Sequence, residues 1–389
     1  KVDAIRHNSA TSDAITTASD GTCTARITGM TGGGGLSHRN IIINGSMKVA
    51  QRSTSKAITG YGYHTVDRFH TVANSSMTYA VTMSQENDNP DGNGKSVKLL
   101  TTTAKTPSGS ENYILRYIGE EQDISGAGLG TSACKQLTIS FSVKTNKTGT
   151  HGFQIYLYGN TPNMTVAYTV SSANTWERKT ITLPTYTTSY TLGADNAKGF
   201  MIDWNLSSGP DDIMAPFNWS TGSGAARGVT GQVNMLDTVG NYFQLTNVQL
   251  EIGDTATSFE HRTYQEEILR CMRYYQQITG DDRGYNGATG SSGSFKNSVI
   301  GIYNAATDVR GIYYHMVPMR DEPSLTVLGA LTDFDLEPFD RAPAAISMNR
   351  AGVFQSTLLI QDSGSATAGQ ACELTIDQAA GGLAFSAEL

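Results

Sequence analysis

From residue 40 to about residue 262 the chain alternates apolar and polar positions with period two, in one short segment after another. The segments are MTYAVTMSQ (77–85), SVKLLT (96–101), YILRYI (113–118), QLTISFSVK (136–144), GFQIYLY (152–158), TVAYTV (165–170), WERKTITL (176–183), GFMIDW (199–204) and FQLTNVQLE (243–251). Period two places one face of a strand in a core and the other in water. Eight or more such strands in about 220 residues predict a sandwich or jelly roll. At the front of this region IIINGSMKVAQRSTS (41–55) reads as an opening strand with an Asn44-Gly45 turn, and FQLTNVQLEIG (243–253) reads as its closing partner.

The period then changes. Thr263-Tyr264-Gln265-Glu266 is a capping box, and Ile268, Leu269, Met272 and Tyr275 follow at helical spacing. A helix over 264–277 is predicted, with Gly280 just beyond it, as a bracket between two β-domains. Strands return at 298–303, 310–317, 324–328, 345–348, 356–360, 373–377 and 383–389, with Pro318 and Pro323 at strand ends, where they remove no ladder donor. These predict a smaller distal β-sandwich with a structured last strand, AFSAEL. Residues 1–39 hold isolated Ile, Ala and Cys in a Ser/Thr matrix, too little to bury a core alone. Identical chains wound together are the simplest partners for them, with the glycines at 32–35 as a flexible joint. The expected class is all-β: tandem sandwiches joined by one helix, divided as 1–39, 40–262, 263–279 and 280–389.

Composition agrees with many short strands and polar turns, since Gly numbers 41 and only 16% of residues are charged, where helical bundles are rich in Ala, Leu, Glu and Lys. The net charge of −7 comes with dispersed Lys and Arg, so the basic stripe that phosphate neutralisation needs is missing and nucleic acid is not an expected partner. Apolar runs fall far short of a membrane span, and the first thirty residues carry no apolar stretch like that of a signal peptide. The cysteines Cys23, Cys134, Cys271 and Cys372 form no CxxC, so free, buried thiols and a reducing place of assembly such as bacterial cytosol are expected.

Three elements, Asn44-Gly45-Ser46-Met47, Asn174-Thr175-Trp176-Glu177 and TNVQLEIG, together resemble the jelly-roll sandwich of carbohydrate-binding modules. More specifically, NIIINGSMKVAQRSTS, GYHTVDRF, VTGQVNMLD, FQLTNVQLEIGDTATSFEHRTYQEEILRCMRYYQQ, the terminal AFSAEL and the upstream DAITTASDGTCTARI resemble phage tail-fibre chains of podophages from marine bacteria and cyanobacteria. The resemblance covers nearly the whole chain, with the segments in order. It implies a trimeric fibre at the virion periphery that meets a host surface glycan. No catalytic residues come with it.

Chemistry is sparser than architecture. NPDGNGKS (89–96) ends like a phosphate loop, but Asn89 stands where the first Gly belongs, so a polar hairpin loop is expected. No GxSxG, HExxH or EF-hand loop occurs. The acidic pairs Glu120-Glu121, Asp211-Asp212, Asp281-Asp282 and Asp333 with Asp335 read as solvated turns rather than a glycosidase dyad. His64 and His70 flank Asp67, yet six residues of extended strand separate them by about 20 Å, too far to share a metal. No cofactor is expected, with structural calcium at acidic loops as the minority alternative. Sugar recognition uses aromatic platforms beside amides and carboxylates. Trp176, at a strand start, is assigned to packing. Trp204 and Trp219, which flank a Gly/Pro-rich loop, and Tyr285 and Tyr303 in the last domain are the sugar-binding candidates.

The expected function is that of a homotrimeric phage tail fibre that recognises and adsorbs to its host. Its partners would be a bacterial surface glycan or lipopolysaccharide and, through the N-terminal side, other tail or adaptor proteins, without membrane insertion. Its place would be the virion tail after assembly in host cytoplasm. The alternatives are a polysaccharide-degrading fibre enzyme, an architectural collar or head fibre without receptor affinity, and a monomeric sugar-binding module.

Overall fold

The alternating segments pair into antiparallel sheets, each displaced by only a few residues from its predicted bounds. The computed structural model describes residues 4–5, 15–17, 23–25, 38–58, 60–73, 80–92, 94–158, 162–193, 195–221, 227–280, 298–364, 366–378 and 380–389. One six-stranded sheet runs in the order Glu177–Leu183, Leu137–Thr145, Tyr242–Ile252, Ser96–Thr103, Ala80–Glu86, Ser55–Ile58. A seven-stranded sheet runs Phe217–Thr221, Pro162–Val170, Gly149–Leu157, Lys198–Ser208, Asn112–Glu120, Phe69–Ala73, Gly62–Tyr63. Their inward rows share one core, in which Phe141 of the first sheet meets Phe153 and Trp204 of the second at ring separations of 6.2 and 5.7 Å. This is a sheet-on-sheet sandwich.

The predicted bracket of 41–55 with 243–253 is present, but not as a strand pair. Ile41 N–H donates to the Leu250 carbonyl and Val248 N–H to that of Gly45, while Asn40 bonds to Val248 O and Leu250 N from its side chain. Residues 43–46 are a turn instead, with Asn44 and Met47 in the left-handed region. Asn tolerates that backbone, and Gly45 is needed for close approach instead, since a Cβ there would meet Val248 O at 2.1 Å.

The capping box is formed: Thr263 Oγ1 accepts from Glu266 N–H, and Glu266 Oε2 accepts from Thr263 N–H at 2.8 Å. The helix, however, spans Tyr264–Met272 and not 264–277, and its buried positions are Glu267, Cys271 and then Tyr274, with Leu269 exposed. Arg273 and Tyr274 end it by gripping Glu120, Arg273 through Nε at 2.8 Å and Nη2 at 2.9 Å, Tyr274 through its hydroxyl. The next residues, Tyr275–Thr279, become a strand of a three-stranded sheet with Gly382–Ser386 and Ser324–Leu328.

A second six-stranded sheet follows in the order Phe334–Glu337, Ala371–Ile376, Ser298–Ala305, Asp308–Tyr314, Gln355–Asp362, Pro343–Arg350. It shares a separate core with the three-stranded sheet, in which the rings of Tyr313 and Phe385 stack at 4.3 Å. At the front of the chain Ala4–Ile5, Ile15–Thr17 and Cys23–Ala25 pair antiparallel with one another. The rest of residues 1–37, including the glycines at 32–35, lies outside the described residues, as do Asp281 and Asp282. Cys134, Cys271 and Cys372 are free thiols. Among the described residues no helix is long and apolar enough to cross a membrane.

Sandwich and distal sheets meet at one buried cation. Arg68, fully buried, pairs with Glu388, donates to Ile118 O at 2.6 Å and lies 3.4 Å from the centre of the Tyr274 ring. Glu388→Ala leaves that guanidinium unpaired and is expected to cost about 3–5 kcal/mol in denaturant unfolding, whereas Arg68→Met/Glu388→Leu loses less. A cost below about 1 kcal/mol for the single variant contradicts this account.

Candidate functional site

Three of the four predicted sugar-binding residues are described, and they lie apart. Trp204 is wholly buried between Phe69, Phe141 and Phe153, so its ring is core and not a platform. The alternation carried this signal, because Trp204 is in phase with Phe200 and Ile202, which also point inward. Tyr303 is 1% exposed and is likewise core. Its hydroxyl donates to Asp362, which Arg341 also grips through Nε at 2.6 Å. Trp219 is half-buried, with its Nε1–H donated to Pro184 O at 2.7 Å and its ring 5.5 Å from that of Tyr186. Tyr285 lies outside the described residues. Trp176, assigned to packing, is half-buried just before its strand and donates to Asp88 Oδ1 at 3.0 Å.

The outer face of the seven-stranded sheet carries a polar row, Thr165, Gln154, Asp203, Arg116, His70 and Tyr63, each opposite the next in register. Arg116 holds Asp203 in a fork at 2.6 and 2.7 Å. Part of this face is closed by the segment after residue 226, where Gln232 Nε2 donates to Asn205 Oδ1 at 2.6 Å. Burial, and then the charges of Arg116 and Arg68, push His70 down to about 3, so it is neutral at pH 7. His64 and His70 are not 20 Å apart along one extended strand: the chain reverses at Arg68, which takes φ 71°, and the resulting hairpin puts Tyr63 opposite His70. The expected separation fails because a left-handed residue sits inside HTVDRFH.

The outer face of the six-stranded sheet is different, since it holds a cleft of about 350 Å³. Ser142 and Arg178 stand opposite each other on neighbouring strands. Beside them the ladder slips by one residue between Ser140 and Ser142, a bulge that places Asn247 at φ 51°. Asn247 Nδ2 donates to Asp91 Oδ2 at 2.9 Å, and Asp91 comes from the predicted polar hairpin loop between Ala80–Glu86 and Ser96–Thr103. The far wall is the chain after the closing strand, where the rings of Phe259 and His261 meet edge-on at 5.0 Å. Gln249 anchors that wall by accepting from Glu260 N–H at 2.7 Å and donating to Thr257 Oγ1. The cleft thus joins a carboxylate, an amide, a guanidinium and a hydroxyl to aromatic surface, the set that hydrogen-bonds hydroxyl groups while packing on C–H faces.

The same face continues into a charged cluster. Asp88 accepts from Lys144 Nζ at 2.7 Å, from Trp176 and, at 3.4 Å, from Gln244. Desolvation raises its pKa, but these hydrogen bonds outweigh it and hold the carboxyl below the usual range. Elsewhere Glu120 is committed to Arg273, and Asp212 accepts from Ser208 and the Arg227 N–H. Among the described residues no cluster of three or more His, Cys, Asp or Glu is placed to hold a metal ion.

No protein-family model and no curated protein sequence matches the chain. Among solved structures it is similar to the enzymatically active domain of tailspike protein 4 of bacteriophage CBA120, at 15% identity over 55% of this chain and a TM-score of 0.31, and spans 21% of that chain. It is similar to a family 11 carbohydrate-binding module of a cellulosomal cellulase of Clostridium thermocellum, at 14% identity, over 54% of this chain and 100% of that one, with a TM-score of 0.27. A xylan-binding domain from Paenibacillus barcinonensis gives 10% identity, 56% and 96% coverage and a TM-score of 0.25. At such scores no residue's role transfers, so the site rests on its own geometry.

Two measurements test these assignments. Asn247→Ala forces a side chain without its own polar partner into left-handed backbone and is expected to cost about 1 kcal/mol, while Asn247→Gly keeps the fold and loses only the Asp91 contact; equal stability of all three proteins in denaturant contradicts the bulge. Burial raises the pKa of Asp362, but hydrogen bonds from Arg341, Tyr303 and Gly364 overcome it and hold the folded value at about 2, below the ordinary 3.8. Its stabilisation is therefore present above the unfolded value and lost as pH falls from about 4 through 2. Thermal unfolding of Asp362→Asn is expected to lose the share of acid dependence that falls in that window.

Proposed function

We propose that the chain is the subunit of a homotrimeric phage tail fibre that binds a bacterial surface glycan through the cleft lined by Asp91, Arg178, Asn247 and Phe259. The observation that carries this reading is the cleft itself, where donor, acceptor and aromatic surface meet on a sheet face that the core does not use. Sugars bind weakly one site at a time, and several copies of a weak site on one particle raise avidity without a tight contact.

The distal sheet supports the oligomer. Ile300, Ile302, Ile312 and Tyr314 share its outer face at 74, 55, 44 and 69% exposure, with Met316 and Phe354 at 64 and 70% nearby. Taking about 150–250 Å² for a large side chain, these six expose on the order of 700 Å², more than the roughly 300–600 Å² of a monomer's largest apolar patch. That is close to the roughly 800 Å² each partner contributes to a stable interface. Apolar surface of this size is covered by further copies of the chain in the proposed fibre.

Light scattering of the purified chain is expected to give three times 41.6 kDa, and Ile300→Asp/Ile312→Asp is expected to give monomer. Binding of the trimer to susceptible cells or to their extracted envelope glycan is expected to fall at least tenfold on Phe259→Ala, through lost aromatic contact repeated three times. A monomeric wild-type chain overturns the fibre reading. Undiminished glycan binding by Phe259→Ala overturns the site.

A further inference from the structure

A second cleft, of about 420 Å³, lies where the sandwich meets the three-stranded sheet, and its chemistry differs from that of the first. Its sandwich wall is Arg52, Lys56, Tyr63 and His64, and its other wall includes Tyr275, Thr326 and Ser386. The volume is within the roughly 300–1,000 Å³ of small-molecule sites, larger than one small inorganic ion needs.

Two features of this cleft call for an anion. First, its charged lining is cationic. The carboxylates that compensate Arg52, Glu388 at 3.2 Å and Asp67 at 3.8 Å, do not line the cleft, and the Lys56 side chain is exposed at its edge without a carboxylate within ion-pair distance among the described residues. His64 reports the resulting field: burial, then the charges of Lys56 and Arg52, lower it to about 4, and no carboxylate acts against them. Second, Tyr63 Oη and His64 Nε2 are buried with no hydrogen-bond partner among the described residues. Leaving a buried polar atom unmet costs about 1–3 kcal/mol, a deficit a ligand acceptor can relieve. Arg52 is also held in place, its guanidinium 3.6 Å from the centre of the Tyr275 ring and 5.1 Å from that of Tyr63, so little ordering remains to be done on binding.

We infer that this interdomain cleft is a second saccharide site, selective for an acidic sugar unit whose carboxylate faces Lys56, His64 and Arg52 and whose hydroxyls face Thr326 and Ser386. It rests on the reading of the chain as a glycan binder but uses none of the residues of the sandwich cleft. In a protein of net charge −7 a local positive pocket selects an acidic unit over a neutral one by charge as well as by shape.

The test uses the whole 389-residue chain at low ionic strength, with sodium D-glucuronate, methyl D-glucoside and sodium sulfate as probes, read by calorimetry and by the ring signals of His64 in NMR. Glucuronate is expected to bind and to shift His64, methyl glucoside to leave the His64 signals unshifted, and sulfate to bind more weakly. Lys56→Ala, an exposed position that folding does not need, is expected to weaken glucuronate by about fivefold. Thr326→Val is expected to weaken glucuronate but not sulfate. An equal shift of His64 by the neutral sugar, sulfate as tight as glucuronate, or no effect of Lys56→Ala overturns the inference. The ring signals of His64 separate the two sites, since His64 lines this cleft and not the sandwich cleft, so a glucuronate shift there stands even if the sandwich cleft binds nothing.

Discussion

The arrangement of the two β-units depends on a cation that has no contact with water. Arg68 reaches from the sandwich hairpin into the junction, where Glu388, the Ile118 carbonyl and the faces of Tyr274 and Tyr117 replace its hydration. A buried guanidinium is tolerable only when nearly every direction around it is satisfied, so each of these groups is fixed once Arg68 is in place. Glu388 fixes the last strand, Tyr274 the end of the helix, and the left-handed backbone of Arg68 the hairpin that carries Tyr63 and His64. Around it Asn196 and Arg320 exchange bonds with each other's backbone carbonyls, and Glu120 holds Arg273. The interdomain cleft has two walls in register because this joint sets them.

A second polar knot closes the sandwich. Arg262, buried, donates to the carbonyls of Asn40 and Ile42 and pairs with Glu267, whose other oxygen accepts from Asn44 N–H at 2.6 Å. The turn at 43–46 has no ladder of its own, so side chains meet the backbone in and beside it: Tyr117 and Glu267 accept from the N–H of Ile43 and Asn44, and Asn40 and Asn44 accept from those of the flanking Ile42 and Val49. Glu267 therefore takes a buried position on the helix where an apolar residue would be expected, and the buried positions, Glu267 and Cys271 followed by Tyr274 beyond its end, differ from the apolar pattern of the sequence.

Alternation showed the strands because each sheet has one face in a core, and the capping box showed where the helix starts because its partners are three residues apart. Features set by distant residues were not legible in this way. The helix ends early because Glu120 and Arg68 bind Arg273 and Tyr274, and the sequence around them is equally compatible with another turn. In SVIGIY the isoleucines are as apolar as the inward Val299 and Tyr303, so the pattern does not say which face is the core, and Tyr303 belongs to the core and not to a sugar platform. The sandwich cleft draws Asp91, Ser142, Arg178, Asn247 and Phe259 from five separate segments, joined only by strand order and one bulge. The strands that carry Ser142, Arg178 and Asn247 and the hairpin loop that carries Asp91 are legible one by one, but nothing in the sequence joins them into a site.

The three outer faces of the larger sheets are chemically distinct, and this division of labour follows from how each is covered. The seven-stranded face is partly covered by its own chain, so its charges pair among themselves, Arg116 with Asp203, and its histidine stays neutral. The six-stranded face is walled along one side by residues 254–262, so a cleft stays open beside Asp91, Arg178 and Asn247, whose side chains bond to Asn247, to Ser140 and Thr257, and to Asp91. On the distal face large apolar side chains lie open, Ile300 opposite Glu373 and Ile302 opposite Arg310, an apolar exposure that an isolated chain in water does not favour. Repeating the chain around an axis would bury the last face and, in the same step, multiply the second, so that assembly and recognition come from sheets on opposite sides of the Arg68 joint. Rigidity at that joint is what would let several weak sites engage one surface together, since avidity is lost when their spacing is free to wander.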